Sequence, residues 1–347
     1  MSVKKKRQEL ITTLFTGGIP RLWCPLLTHY RDDVSIDIPR MTAHWNNIVP
    51  WVKGYLVPGS TGDGWELSRK ESMEVMEFAI HMARANDAHL LLGVLKPDAD
   101  TMKRTIDEML QRLHELTEIK DTMNCLISAC VCGFTVTPPT GESLKQTVIY
   151  QDLSQIIEKG LPMALYQLPQ VTSNELAPET FEQLVQKYSN VIFFKDSSGH
   201  DRVVLSDIDS GDVYLVRGAE GEYAKWPKDA GGRYDGFLLS TANCFPSQLM
   251  AIIEHIENSD LKSARELSRR LTTVINNVFE LVQSVPSGNA FTNANKAIDH
   301  YYAFGKTAAK KRGPMLHGGI HLSADIIEST GEILVTYDLI PDKGYLE

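Results

Sequence analysis

Short apolar runs alternate with longer amphipathic stretches along most of this 347-residue chain. The runs have the length of buried strands, and the stretches between them have the length of helices. Neighbouring parallel strands need long crossover connections, which such helices supply. Eight strand-then-helix units over about 240 residues predict an α/β fold, a (β/α)8 TIM barrel, which usually takes roughly 250 residues. The predicted strands are residues 22–27, 54–58, 89–94, 126–136, 163–166, 191–195, 213–216 and 236–239.

The pattern divides the chain into four parts. Residues 1–18 begin with charge and are predicted as an N-terminal arm, followed by the barrel over 19–258. A C-terminal helical extension is expected over 259–330, because the pattern stays helical with no further strand, and a short extended tail over 331–347. A doubly wound open sheet is the structural alternative, but no G-x-G-x-x-G sequence follows the first strand.

Composition excludes several classes of partner. The net charge is -9, and the chain has no basic stripe that would bind nucleic acid. The apolar patch near the N-terminus is too short for a secretory signal or a membrane span. Five cysteines form no C-x-x-C pair, so we expect buried free thiols and no metal site. The sequence therefore predicts a cytoplasmic protein without nucleic-acid or membrane partners.

Lys195 ends the apolar run 191–194, at the point where a polar turn begins. Burial disfavours the charged ammonium and leaves a larger fraction of neutral amine, which is the form that attacks a ketone to give an imine. By the alternation of a strand, Val191, Phe193 and Lys195 share one face. Lys195 is therefore a candidate Schiff-base nucleophile. The alternative is a lysine whose ammonium extends into water, as is common at strand ends.

Hydroxyl groups follow two other predicted strands. Ser60 and Thr61 lie on a glycine-flanked loop after the second strand, where hydroxyls and backbone N–H groups can bind a carboxylate. A plain turn is the alternative. Tyr166 ends the fifth strand, where its phenol either exchanges protons with an imine or simply covers the core. Because the carboxyl ends of barrel strands meet at one mouth, we expect these groups to lie beside Lys195.

Two further strand ends carry candidate substrate-binding residues. Gly218 and Glu220 follow the seventh strand, where a glycine allows close approach and a carboxylate suits a polyhydroxylated substrate. An acid in the first turn of a helix is the ordinary alternative for Glu220. Leu238 and Ser240 lie at the end of the eighth strand. We take all four residues as candidates.

Three segments together resemble the signatures of the dihydrodipicolinate synthase / N-acetylneuraminate lyase family. The resemblance spans about residues 19–300 and implies a class I, Schiff-base pyruvate aldolase or dehydratase. It implies no metal or other cofactor, and a homo-oligomer, either a dimer or a tetramer. Lys195 would form the imine with pyruvate, Tyr166 would be the acid/base, Ser60 and Thr61 would hold the keto acid's carboxylate, and Ser240 would contact the hydroxyls of a sugar acid. The segments are Gly59-Ser60-Thr61-Gly62-Asp63, Tyr166-Gln167-Leu168-Pro169 and Phe194-Lys195-Asp196-Ser197-Ser198-Gly199.

Departures from that pattern concern the second substrate. Dihydrodipicolinate synthases carry a pair of tyrosines after the fourth strand, where this chain runs Thr137-Pro138-Pro139-Thr140. They place an arginine for the aldehyde's carboxylate where this chain has Gln170-Val171-Thr172, and a glutamate where it has Asp63. The sequence therefore predicts a divergent member and not a typical dihydrodipicolinate synthase.

We predict a carbon–carbon or carbon–oxygen lyase that cleaves or forms a 2-keto-3-deoxy acid, with pyruvate and an aldehyde as its small-molecule partners. Several alternatives stay open. The same imine can eliminate water from a 2-keto-3-deoxy sugar acid, or serve a dihydrodipicolinate synthase-like condensation. A catalytically idle ligand-binding barrel is a further alternative, and a metal-dependent aldolase is another.

Overall fold

The computed structural model describes every residue from Met1 to Glu347. Eight parallel strands form a closed barrel in which each strand pairs with the next and the last pairs with the first. The predicted (β/α)8 fold is therefore confirmed. The strands are β1 (Leu22–Pro25), β2 (Gly54–Val57), β3 (His89–Val94), β4 (Val131–Val136), β5 (Met163–Gln167), β6 (Val191–Asp196), β7 (Tyr214–Arg217) and β8 (Gly236–Leu238).

Helices surround the barrel and continue after its last strand. Their starts follow ordinary capping chemistry: at one of them the Ser68 hydroxyl accepts from Glu71 N–H, while the Glu71 carboxylate accepts from Ser68 N–H. No helix combines the length and apolar character needed to cross a membrane. The helices are α1 (Val3–Leu14), α2 (Ile38–Ile48), α3 (Arg69–Asn86), α4 (Ala99–Thr117), α5 (Thr122–Ser128), α6 (Gln146–Ile157), α7 (Pro169–Thr172), α8 (Pro178–Lys187), α9 (Arg202–Leu205), α10 (Pro246–Glu257), α11 (Leu261–Val282), α12 (Ala290–Phe304) and α13 (Ala324–Thr336).

Side chains fill the barrel interior, as they do in closed barrels of eight strands. Trp23 of β1 packs against Gly54 of β2, where an added Cβ would lie inside van der Waals distance of the indole ring. A separate and larger apolar layer lies between the strands and the helices. The inner cluster consists of Leu14, Phe15, Trp23, Leu56, Leu91, Cys132, Ala164, Ile192, Phe193, Val216 and Leu238.

Two predicted strands differ from the observed ones. The sequence predicts one strand over 126–136, but the first part of this run belongs to α5, because an apolar run alone does not separate a short helix from a strand. In β6 the pairing with β5 shifts register, so that Ile192 and Phe193 both join the inner cluster and Val191 packs in the outer layer. The predicted face shared by Val191, Phe193 and Lys195 is therefore wrong for Val191.

The predicted boundary between the helical extension and an extended tail is also wrong, because residue 331 lies inside α13. Gly331 allows close packing there, since an added Cβ would overlap the Tyr301 hydroxyl. Only the residues after α13 form an irregular tail. That tail packs back against α12, where the Tyr345 hydroxyl donates to Asp299 at 2.9 Å.

The N-terminal arm is the helix α1, and it carries a buried arginine. Arg7 has no exposed surface and no carboxylate partner. Its guanidinium donates to four backbone carbonyls, those of Val191, Gly211, Val185 and Tyr188. Two of these carbonyls belong to the C-terminal end of α8 and the residue after it, where a cation is favoured. One side chain thus joins α1, α8 and β6.

We predict that Arg7→Met lowers the free energy of unfolding by about 3 kcal/mol, because buried carbonyls would lose their donors. Urea unfolding followed by circular dichroism measures this change. The exposed Lys6 on the same helix provides the control, since Lys6→Met should leave the urea midpoint unchanged. Equal midpoints for wild type and Arg7→Met would contradict the assignment.

Candidate active site

Lys195 lies near the end of β6, and only 4% of its surface is exposed. Its Nζ has no hydrogen-bond or ion-pair partner and lies 3.9 Å from the centroid of the Tyr166 ring. Lys195 and Tyr166 are paired across β6 and β5. Gly218, after β7, leaves room for the lysine, because an added Cβ would be 2.7 Å from Lys195 Cε. The structure therefore brings these three predicted residues together.

Ser60 and Thr61 lie in the turn that follows β2, and both are nearly buried. The Ser60 hydroxyl is 3.4 Å from the Tyr166 hydroxyl and accepts from the indole N–H of Trp65 at 3.0 Å. An indole N–H can only donate, so it leaves the hydroxyl proton of Ser60 available for the Tyr166 oxygen. The resulting chain Trp65, Ser60 and Tyr166 ends beside Lys195 Nζ.

Helix α12 supports this turn from outside the barrel. The Asn289 amide donates to the Ser60 carbonyl at 3.1 Å, and the Thr292 hydroxyl donates to the Thr61 carbonyl at 3.0 Å. The predicted carboxylate-binding turn therefore depends on a helix outside the barrel. Sequence reasoning missed both α12 residues, because a helical pattern does not show which loop the helix will contact.

A buried ion pair joins α12 to the same turn. Lys296 Nζ lies 3.1 Å from the carboxylate of Asp63, which also accepts from the Tyr30 hydroxyl at 3.0 Å. Burial lowers the pKa of Lys296, and the Asp63 carboxylate opposes that shift. Asp63 closes the turn in the left-handed conformation, with φ of 60°. The pair therefore fixes the end of the turn that carries Ser60 and Thr61.

Glu220 and Ser240 contact each other. The Ser240 hydroxyl donates to Glu220 Oε1 at 2.6 Å, and the hydroxyls of Thr241 and Tyr223 donate to Oε2 at 2.6 and 2.8 Å. No helix begins directly after Glu220, since the next helical turn starts only at Lys228, so the helix-capping alternative is wrong. The Glu220 carboxylate and the Ser240 hydroxyl thus form a hydrogen-bonded polar surface between β7 and β8.

Leu238 is 1% exposed within the inner cluster, where it is a packing residue.

Two polar residues at the mouth were missed by the sequence analysis. Ser197 follows Lys195 by two residues, and its buried hydroxyl has no partner. Strand alternation could have indicated it, because residues i and i+2 share a face. Thr137, after β4, is also buried with an unpartnered hydroxyl.

An ionic cluster on the outer side of β6 and β7 holds the loop of Gly218. Arg217 binds the carboxylate of Asp201 through two nitrogens, at 3.1 and 3.2 Å, and donates to the Ala219 carbonyl. Tyr234 donates to the same carboxylate at 2.5 Å. A bidentate, desolvated pair of this kind is rigid. It therefore fixes the course of the chain on either side of Gly218.

A second buried network surrounds Asp299 of α12. His29, His44 and Asp299 place their ligand atoms within 4.8 Å of one another, the spacing of a possible metal site. The Asp299 oxygens, however, already accept from Arg40, His44 and Tyr345 at 2.7 to 3.0 Å. Burial alone would raise the pKa of Asp299, yet His44 and Arg40 hold it well below its usual range. The carboxylate is thus neutralised by protein groups, and the arrangement fits a structural network better than a cation site.

Comparison with solved structures shows which class of barrel this fold resembles. The structure of YagE from E. coli K12, a member of the dihydrodipicolinic acid synthase family in complex with pyruvate, shares 18% identity at a TM-score of 0.71, covering 92% of this chain and 99% of that one. A Sulfolobus solfataricus 2-keto-3-deoxygluconate aldolase variant in complex with L-2-keto, 3-deoxy-galactonate shares 13% identity at a TM-score of 0.65, covering 92% and 96%. The fold is that of the dihydrodipicolinate synthase and keto-deoxy-acid aldolase barrels.

Sequence comparisons point to the same family. The model of the dihydrodipicolinate synthetase family matches residues 120–290. The 4-hydroxy-tetrahydrodipicolinate synthase of Dichelobacter nodosus is 27% identical over 271 residues, covering 77% of this chain and 83% of that protein. A DapA-like lyase of Thermococcus onnurineus is 24% identical over 270 residues, covering 76% and 84%. The predicted resemblance is confirmed: this chain is similar to the dihydrodipicolinate synthase family, at the low identity expected of a divergent relative.

We predict that Lys296→Met lowers the free energy of unfolding by about 3–5 kcal/mol, because it leaves the Asp63 carboxylate buried without its cation. The double variant Asp63→Asn, Lys296→Met should recover part of that loss, and asparagine also tolerates the left-handed conformation. Urea unfolding of the two single variants and the double variant measures the coupling. Additive effects would show that the pair does not interact.

The pH dependence of stability should reveal Asp196. Burial raises the pKa of this carboxyl to about 6, and one of its oxygens has no partner. Since that pKa lies above the unfolded value of about 3.9, the contribution of Asp196 to stability is present at low pH and is lost as the pH rises through 6. The neutral variant Asp196→Asn should therefore gain about 2 kcal/mol relative to wild type between pH 4 and pH 8.

Urea midpoints of wild type and Asp196→Asn at the two pH values test this prediction. The exposed Asp207 supplies the control, since Asp207→Asn should follow the wild-type pH dependence. A constant difference between wild type and Asp196→Asn at both pH values would mean that Asp196 titrates normally in the folded protein.

Proposed function

We propose that this protein is a class I lyase that cleaves or forms a 2-keto-3-deoxy acid, with pyruvate as the keto partner and the imine on Lys195. Two of the similar structures contain keto acids, pyruvate in one and L-2-keto, 3-deoxy-galactonate in the other. Members of the family are lyases and aldolases. The proposal extends that chemistry to this chain.

The observation that best supports the proposal is the contrast between two buried lysines. Lys296 is 1% exposed and binds the Asp63 carboxylate, as a buried ammonium requires. Lys195 is 4% exposed and has no carboxylate or carbonyl partner, only the face of the Tyr166 ring. Burying an uncompensated cation destabilises a protein, whereas an amine at the mouth of a barrel that has no hydrogen-bond partner is available as a nucleophile. This contrast also speaks against the catalytically idle barrel.

Each residue then has a definite task. The Lys195 amine adds to the keto carbon and water leaves, which gives a protonated imine that withdraws electrons. Tyr166 takes the proton of the C4 hydroxyl, the C3–C4 bond breaks, and an aldehyde departs. The remaining enamine takes up a proton at C3, and hydrolysis of the imine releases pyruvate and the free amine. Ser60 and Thr61 hold the keto acid's carboxylate so that the imine stays aligned with the breaking bond.

Synthesis of 4-hydroxy-tetrahydrodipicolinate, the activity named for several relatives, has less support. Where the substrate-binding arginine is expected, this chain has Gln170-Val171-Thr172, and the Gln170 amide donates to the backbone carbonyls of Ser197 and Ser198 at 3.2 and 3.4 Å. Thr140 stands among the residues that replace the tyrosine pair.

We further propose that the reaction needs no metal or other cofactor, because the imine itself accepts the electrons, and that the protein is a homo-oligomer.

We predict that borohydride reduction in the presence of pyruvate traps a covalent adduct on Lys195. The adduct is read by intact mass and located by peptide mapping, and Lys195→Ala should abolish both the adduct and turnover while the circular dichroism spectrum stays native. Lys225, an exposed lysine after β7, supplies the control, since Lys225→Ala should trap normally. A folded wild-type protein without an adduct on Lys195 would reject the mechanism.

A further inference from the structure

We propose that the space above Tyr166 is an acceptor subsite for a neutral, apolar aldehyde, such as an aromatic one. This inference rests on the proposed function and concerns the second substrate, which the family signatures leave open. Lys195 and the turn of Ser60 and Thr61 account for the keto acid. The aldehyde must therefore approach from the remaining side of the Tyr166 phenol, which takes or returns the proton of the aldehyde oxygen.

Apolar side chains line that side. Tyr166 packs in one small cluster with Leu95 and Leu168, and the half-buried Trp65 and Val171 pack against it. The exposed parts of Trp65 and Val171 therefore border the mouth with an indole and an isopropyl group. A flat apolar substrate gains contact there, whereas a hydroxylated chain would lose its hydrogen bonds to water.

The charges around the mouth disfavour an anionic aldehyde. The segments after β2, β5 and β8, residues 58–68, 168–177 and 239–245, contain no lysine or arginine. After β6, Arg202 lies 3.6 Å from the Glu175 carboxylate, and Arg217, the last residue of β7, is bound to Asp201. The segments after β2, β5 and β8 thus offer no cation to a carboxylate or phosphate on the aldehyde; Lys96, Lys145 and Arg233 follow β3, β4 and β7 instead.

The polar groups at the mouth do not suit a sugar chain either. The carboxylate of Glu220 is already occupied by Ser240, Thr241 and Tyr223. The buried hydroxyls left without partners are few, and Ser197, next but one to Lys195, is one of them. Such isolated hydroxyls match the single oxygen of a simple aldehyde.

The test is a comparison of three aldehydes at fixed, saturating pyruvate. In the synthetic direction, C3 of the enamine forms a bond to the aldehyde carbon, the aldehyde oxygen takes up a proton, and water then hydrolyses the imine to release a 4-hydroxy-2-keto acid. Benzaldehyde is neutral and aromatic, glyceraldehyde is neutral and hydroxylated, and succinic semialdehyde is anionic. We expect kcat/KM for benzaldehyde to exceed both others by about tenfold or more, as apolar contacts of this size allow.

A single substitution should reverse part of this preference. Val171→Arg places a cation at the apolar border, and the ratio of kcat/KM for benzaldehyde over succinic semialdehyde should fall by about tenfold or more. The matched control is Val335→Arg, at a valine of α13 that is 65% exposed, which should keep the wild-type ratio. Trapping of pyruvate on Lys195 should be the same in all three proteins.

The outcomes separate this inference from the function on which it rests. An adduct on Lys195 together with a preference for glyceraldehyde or succinic semialdehyde would overturn the acceptor assignment and leave the imine mechanism intact. A ratio unchanged by Val171→Arg would also overturn it, because the aldehyde would then not pass Val171. Failure to trap pyruvate at all would reject the proposed function, and the acceptor assignment with it.

Discussion

Closure of eight parallel strands into one barrel is the constraint on which the rest of this structure depends. It directs every strand's carboxyl end to the same mouth, so Ser60, Tyr166 and Lys195 meet although they are far apart in sequence. Closure also leaves an interior wide enough for side chains alone, and an apolar cluster fills it. The polar groups that could act on a substrate therefore lie above a layer of apolar side chains. Water is scarce there, so a donor without a protein partner is costly to bury.

The two buried lysines show how surroundings assign different roles to one side chain. Lys296 is held by a carboxylate and a phenol ring, an arrangement that fixes a turn and a helix to each other. Lys195 Nζ has only the ring face of Tyr166 beside it. Removing the partner from a buried ammonium costs stability, so an unpaired lysine is retained only where its reactivity is useful. The paired Lys296 thus provides an internal standard for Lys195, the proposed nucleophile.

The barrel and the three mouth residues could be predicted because they depend on local patterns: alternation in strands, helical periodicity, and the position of a residue at a strand end. The predictions failed where two local patterns look alike, as in the apolar run that contains both α5 and β4, or where a register shift interrupts alternation, as at Ile192. The pairing of Lys296 with Asp63 could not be predicted at all. These residues are 233 positions apart, and only the finished fold determines which carboxylate the lysine meets.

Helix α12 lies outside the barrel and yet determines the shape of its mouth. Lys296 and Asp299 bind two separate parts of the barrel, and the cap residue Asn289 and Thr292 hold the Ser60 turn between them. Asp63 is one methylene shorter than the glutamate usual in the family, so the position of the lysine must suit the shorter side chain. The turn and the helix therefore have to be inherited together. A chimera that joined this barrel to the C-terminal helices of a relative would separate the halves of a charge pair, and recombination between such genes would be restricted at that junction.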